Sequence, residues 1–121
     1  LNHPGGAAGY IVEKDEKKVC CFLDHEYGQI DKIDKELLNI SRNCDLVIWD
    51  GMFLEEELPP KKGWGHSSIE QGVGFSDMSN CKNLAIAHHS PSRTDQQLKE
   101  HSNNLKSDRV FFAFQGLSHK L

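Results

Sequence analysis

Three short apolar runs, each closed by a residue able to do chemistry, constrain this chain more than any other feature. Val19-Cys20-Cys21-Phe22-Leu23 ends in Asp24, Leu46-Val47-Ile48-Trp49 ends in Asp50, and Leu84-Ala85-Ile86-Ala87 ends in His88. Continuous apolar runs of this length read as strands buried on both faces. Between them the pattern turns helical: Ile33, Leu37 and Ile40 recur at i, i+4 and i+7 and predict a one-sided helix over 33–42. Ser67-Ser68-Ile69-Glu70 matches an S-x-x-E capping box and predicts a second helix start. Thr94-Asp95-Gln96-Gln97 predicts a third helix, running to about Ser107. Residues 9–13 and 18–23, joined by Lys14-Asp15-Glu16-Lys17, read as a hairpin, and residues 109–114 as the last strand. Strands alternating with helices predict a layered α/β architecture.

The size fits one unit. At 121 residues, two separate cores would leave each half below the length that usually folds unaided, so residues 1–121 are expected to form a single unit. Hydrophobic residues make up 37% and mean hydropathy is −0.58, which predicts a thin core but not a disordered chain. Fourteen Lys and Arg against eighteen Asp and Glu leave a net charge of −4, which argues against broad electrostatic attraction to nucleic acid while leaving room for a local basic patch. No run approaches the length of a membrane span, and the N-terminus lacks the layout of a signal peptide. No membrane partner and a cytoplasmic location are therefore expected. Cys20, Cys21, Cys44 and Cys81 contain no C-x-x-C pair and read as buried reduced thiols, with a disulfide or zinc knuckle as the alternative.

In an open α/β sheet, ligands sit beyond the carboxyl ends of the strands. Asp24, Asp50 and His88 are thereby expected to converge, with His3, His66 and His89 on neighbouring loops. Such imidazoles and carboxylates form a nitrogen and oxygen donor set suited to zinc, manganese or iron. Each residue also has an ordinary reading: a strand-end Asp serves as a turn former or helix cap, His88-His89 as a hydrogen-bonded pair, and His3 as part of a Pro-Gly turn. His25, His101 and His119 read as surface residues. Period-two alternation places Leu84, Ile86 and His88 on one face and His89 on the other.

Five motifs in order carry a family resemblance: Asn2-His3-Pro4-Gly5-Gly6 with Gly9-Tyr10; Phe22-Leu23-Asp24; Asp45-Leu46-Val47-Ile48-Trp49-Asp50; Gly63-Trp64-Gly65-His66-Ser67-Ser68; and Ala87-His88-His89-Ser90-Pro91 with Asp95. Together they resemble the C-terminal half of a metallo-β-lactamase-fold hydrolase. The branch is that of tRNA 3′-processing endonucleases and small phosphodiesterases, including the cyclic phosphodiesterase of phosphonate breakdown. The resemblance implies an αββα layered sandwich, of which this chain is roughly half. It implies that His3, Asp24 and His88 are metal ligands, with Asp24 bridging two divalent ions, zinc first and manganese or iron as alternatives. It further implies that His66 shuttles a proton and Asp50 orients it, in hydrolysis of a small phosphodiester.

The family's H-x-H-x-D-H motif, which supplies most ligands of the first metal, is absent from these 121 residues. By the resemblance it lies N-terminal to His3. The expectation is therefore a chain that begins partway through a longer protein, or that takes those ligands from another chain. Alone it is expected to hold one ion or none, and to pair with the missing N-terminal half or with a second copy. Nucleic acid stays open as a partner, because the missing half could supply a basic arm.

Overall fold

A computed structural model describes residues 1–105 and 107–121. The order of elements is β1 (Tyr10–Lys14), β2 (Lys17–Phe22), α1 (Asp31–Ile40), β3 (Leu46–Asp50), α2 (Ile69–Ser79), β4 (Asn83–Ala87), α3 (Asp95–Asn104) and β5 (Val110–Phe112). The strands form one mixed five-stranded sheet in sequence order. β1 and β2 are an antiparallel hairpin, while β2, β3, β4 and β5 run parallel, each parallel step crossing through one helix. The hairpin turns on Asp15 and Glu16, both with positive φ (50° and 62°), whose twist suits a two-residue connection.

Helices cover one face of this sheet. Cys20, Phe22, Val47, Trp49, Leu84, Ile86 and Val110 point into a core closed by Leu37 of α1 and by Ile69 and Phe75 of α2. The Trp49 ring lies 4.8 Å from that of Phe75, and its indole N–H donates to the Ser68 carbonyl at 3.0 Å. Gly72 is required on α2 because a Cβ there would lie 2.5 Å from Trp49 Cδ1. The opposite face is covered at its β5 margin by His119, stacked 4.7 Å from Phe111. Toward β1 it opens to solvent, with Tyr10 66% and Val12 60% exposed.

Several expectations need correction. The capping box that opens the second helix is shifted by one residue: Ser68, not Ser67, caps α2, exchanging 3.0 Å bonds with Gln71 rather than engaging Glu70. Ser67 is instead buried, its Oγ donating to the His25 carbonyl and accepting the Tyr27 N–H. Thr94 caps α3 with Gln97 as predicted, but the helix stops at Asn104. Leu105 turns extended (ψ 102°), and Lys106 within the expected helix lies outside the described residues. Residues 55–57 and 59–61 form two short 3₁₀ turns in the connection between β3 and α2. His25 is fully buried rather than superficial, its Nε2 donating to Asp34 Oδ1 at 3.1 Å. All four cysteines are free thiols, with Cys20, Cys44 and Cys81 buried. Among the described residues no helix is long and apolar enough to cross a membrane.

Candidate metal centre

The parallel strands deliver their last residues to one edge. Asp24 follows β2, Asp50 ends β3 and His88 follows β4, while His66 comes from the loop before α2. Donor atoms of these four all lie within 4.8 Å of one another, a group capable of holding one metal ion. Asp24 and His88 sit in the left-handed backbone region, with φ 56° and 54°. For His88 this costs about 1–3 kcal/mol, which the surrounding contacts must offset. The positive φ also ends the strand alternation, so His88 enters the cluster through left-handed backbone and not through continued period-two geometry. His89 is carried away from the cluster and stacks on Phe112 at 4.8 Å, where burial pushes its imidazole below the usual value.

Asp50 organises the cluster. It is fully buried, and its Oδ2 faces His66 Nδ1 at 2.8 Å, His88 Nδ1 at 3.1 Å and the Asp24 N–H at 3.0 Å. Its Oδ1 accepts the Met52 N–H at 3.2 Å. With both imidazoles donating through Nδ1, each is left with a lone pair at Nε2, the tautomer a metal ligand or a proton acceptor requires. Asp50 itself has no oxygen left unengaged, so it orients the other residues more readily than it binds an ion.

The open side of the cluster lies at Asp24 and His88, whose side chains are 46% and 33% exposed. His88 Nε2 stands 3.8 Å from Asp24 Oδ1, too far for a hydrogen bond. Two ligands at roughly 2.0–2.2 Å from a common cation can span that distance, so the pair fits an ion between them. His3 lies outside the four-residue group, with its ring centroid 5.5 Å from that of His66. The Gly5 N–H donates to its Nδ1 at 3.2 Å. The structure thus brings together Asp24, Asp50, His66 and His88, and sets His3 beside them.

Glu26 is the neighbour that sequence reasoning missed. It is 6% exposed, and its two carboxylate oxygens accept the N–H groups of Gly63 (2.8 Å) and Gly65 (2.9 Å) in the loop leading to His66. Its one sequence signal is a charged residue two positions after Asp24, which looks like solvated loop until the Gly-x-Gly loop folds over it.

No protein-family model and no curated protein matches the sequence. Solved structures do resemble the fold. The metallo-β-lactamase fold protein YhfI from Bacillus subtilis superposes with TM-score 0.74 at 18% identity, over 95% of this chain and 44% of that one. A diphosphatase from the PhnP family gives TM-score 0.64 at 15% identity, over 93% of this chain and 42% of that one. The short form of human tRNase Z gives 0.58 at 22% identity, over 69% and 30%. At these identities the likeness is one of fold: a mixed sheet with a helical layer, matching part of a metallo-β-lactamase-type sandwich. The chain spans less than half the length of each of the three.

Proposed function

We propose that this chain is the C-terminal part of a metal-dependent hydrolase that cleaves a small phosphodiester. The observation that carries the reading is the buried Asp50 carboxylate, which turns two imidazoles by their Nδ1 atoms so that Nε2 of each is free beside the exposed Asp24 carboxylate. In this reading Asp24 and His88 hold a divalent ion, and His3, from the adjacent turn, would join as a further ligand once the exposed Gly5 N–H contact at its Nδ1 is released and the ring hydrogen moves there from Nε2. Zinc suits the mixed nitrogen and oxygen donors best, and manganese or iron are the alternatives. In the complete protein two such ions would be held, with Asp24 among their ligands and the remaining ligands coming from outside these 121 residues. When bound, the ions supply a water of lowered pKa and neutralise charge on the phosphoryl oxygens.

The chain's own residues do the rest. His66, held through Nδ1 by Asp50, takes up a proton at Nε2 to become an imidazolium that the Asp50 charge stabilises, and gives that Nε2 proton to the leaving oxygen, returning to the Nδ1–H tautomer. The fully buried Asp50 keeps that ring from turning. A net charge of −4 favours a small substrate over a long RNA.

A second reading is a noncatalytic half-fold that self-associates or pairs with an N-terminal half. It is favoured by the open sheet face at Tyr10 and Val12, apolar residues that a monomer leaves in water. Hydrolysis of bis(p-nitrophenyl) phosphate with added zinc or manganese separates the two. The hydrolase reading predicts turnover that depends on metal and disappears in His66→Ala, which keeps its metal. No turnover with either ion, in a chain that sediments as a dimer, establishes the second reading for this chain.

A further inference from the structure

Two loops carry His66 of the cluster and His3 beside it, and one short segment after Asp24 grips both. Glu26 N–H donates to the Asn2 carbonyl at 2.9 Å, and Asn2 Nδ2 donates back to the Glu26 carbonyl at 3.0 Å. The Asn2 N–H donates to His25 Nδ1 at 3.1 Å, which fixes the turn bearing His3. On its other side the Glu26 carboxylate accepts Gly63 and Gly65, three and one residues before His66. The Ser67 hydroxyl, immediately after His66, is bound to the His25 carbonyl and the Tyr27 N–H. His66 is therefore pinned from both flanks by residues 25–27.

We propose that Glu26 is a positioning residue that sets His66, and with it the spacing between His66 and His3, for the chemistry of the cluster. The inference rests on the hydrolase reading for its catalytic consequence, but not for the geometry itself. A carboxylate at 6% exposure with no ion pair among the described residues is an expensive way to hold two backbone amides, because its charge must give up water. A neutral amide would cost less to desolvate, but its single acceptor oxygen could not take both N–H groups as the two carboxylate oxygens do. What the charge adds is two short, strong bonds that hold both glycines of a loop otherwise tied at Trp64, whose N–H donates to the Lys61 carbonyl at 3.0 Å; Gly63 and Gly65 both have positive φ, 83° and 88°. The loop is also packed without slack. A Cβ on Gly65 would lie 2.2 Å from His3 Cδ2 and 2.7 Å from Pro4 Cδ. Any outward drift of the loop thus opens the His3 to His66 gap, and any inward drift clashes.

Glu26→Gln tests this. The amide keeps the shape but offers one acceptor where two N–H groups need one each, so one of Gly63 and Gly65 is released. Long-range ¹H–¹⁵N spectra of the metal-free chain report the His66 tautomer. The wild type is expected to show Nδ1–H alone, and Glu26→Gln a mixture of both tautomers, with faster exchange of the released glycine amide. With zinc or manganese bound, kcat on bis(p-nitrophenyl) phosphate is expected to fall about 10- to 100-fold, the usual effect of losing an outer-sphere support. KM stays within about twofold and the acid limb of the pH profile moves.

A tautomer spectrum and pH profile identical to wild type, despite a released glycine amide, overturn the proposal and leave Glu26 as a loop fastener. A wild type with no turnover defeats the hydrolase reading for this chain taken alone, and the tautomer spectrum still decides the positioning role. If Glu26→Gln does not fold, Glu26→Asp carries the test: one methylene shorter, it can hold one amide but not both, and the same mixed tautomers are expected.

Discussion

Replacing Asp50 by Asn changes one atom at the point where the cluster is held together. The carboxylate accepts four N–H groups: Asp24 N, His66 Nδ1 and His88 Nδ1 at Oδ2, and Met52 N at Oδ1. An amide has a single acceptor oxygen. If that oxygen takes the Oδ2 place, the new NH₂ faces the Met52 N–H, and a donor loses its partner at a cost of about 1–3 kcal/mol. The opposite orientation strands three donors and is worse. Even in the better orientation the bonds to both imidazoles lose their charge assistance and roughly half their strength. Both rings then sample the tautomer that puts hydrogen on Nε2, which cannot bind a metal. Outer-sphere losses of this kind weaken metal affinity about 10- to 100-fold, or about 1.4–2.7 kcal/mol.

Calorimetric titration of Asp50→Asn with zinc, beside wild type and an exposed Asp31→Asn control, measures that difference. Urea unfolding in chelator measures the stability loss. An Asp50→Asn chain with wild-type zinc affinity and unchanged His66 and His88 tautomers would refute the assignment of Asp50 as the residue that orients both rings.

Two further outcomes follow from the fold. Gly72→Ala is expected to destabilise the protein even though alanine favours helices: the added carbon would overlap the buried Trp49 ring, and overpacking of about 1–3 kcal/mol exceeds a propensity gain of at most about 1 kcal/mol. A raised urea midpoint would contradict this. Stability of the metal-free chain is expected to fall as pH drops from 7.5 to 5.5, because burial, outweighing the Asp34 carboxylate, pulls the His25 imidazole below its ordinary value. The unfolded chain then binds the extra proton between the folded value and about 6.5, so stability rises with pH across that window. His89 shifts in the same direction. Urea midpoints at the two pH values check it, and a midpoint that is equal or higher at pH 5.5 contradicts it.

The fold was legible because strand and helix periods are local properties. The residues 46–50 run, the α1 stripe of Ile33, Leu37 and Ile40, and the Thr94 cap all required neighbours within one turn or one strand. Convergence of Asp24, Asp50 and His88 was legible for a different reason: parallel strands share a carboxyl edge whatever their sequence separation. The residues that escaped depend on long-range partners. Ser67 and Ser68 are indistinguishable as caps until His25 claims the Ser67 hydroxyl. His25 reads as a surface residue until Asp34, nine positions on, meets it in the interior. Glu26 gains its two glycine amides across nearly forty residues of chain. Left-handed backbone at His88 carries no signal in a residue that ordinarily avoids it.

The central claim is that the carboxyl edge of this sheet is a metal site built on Asp24 and His88 and oriented by Asp50. Titration of the purified chain with cobalt(II), followed by the visible absorption of the bound ion, tests it most directly. The account predicts saturation at one ion per chain, with binding lost in Asp24→Ala and in His88→Ala and kept in His101→Ala. Absence of saturable binding in the folded wild type, or binding that survives both substitutions unchanged, would contradict it.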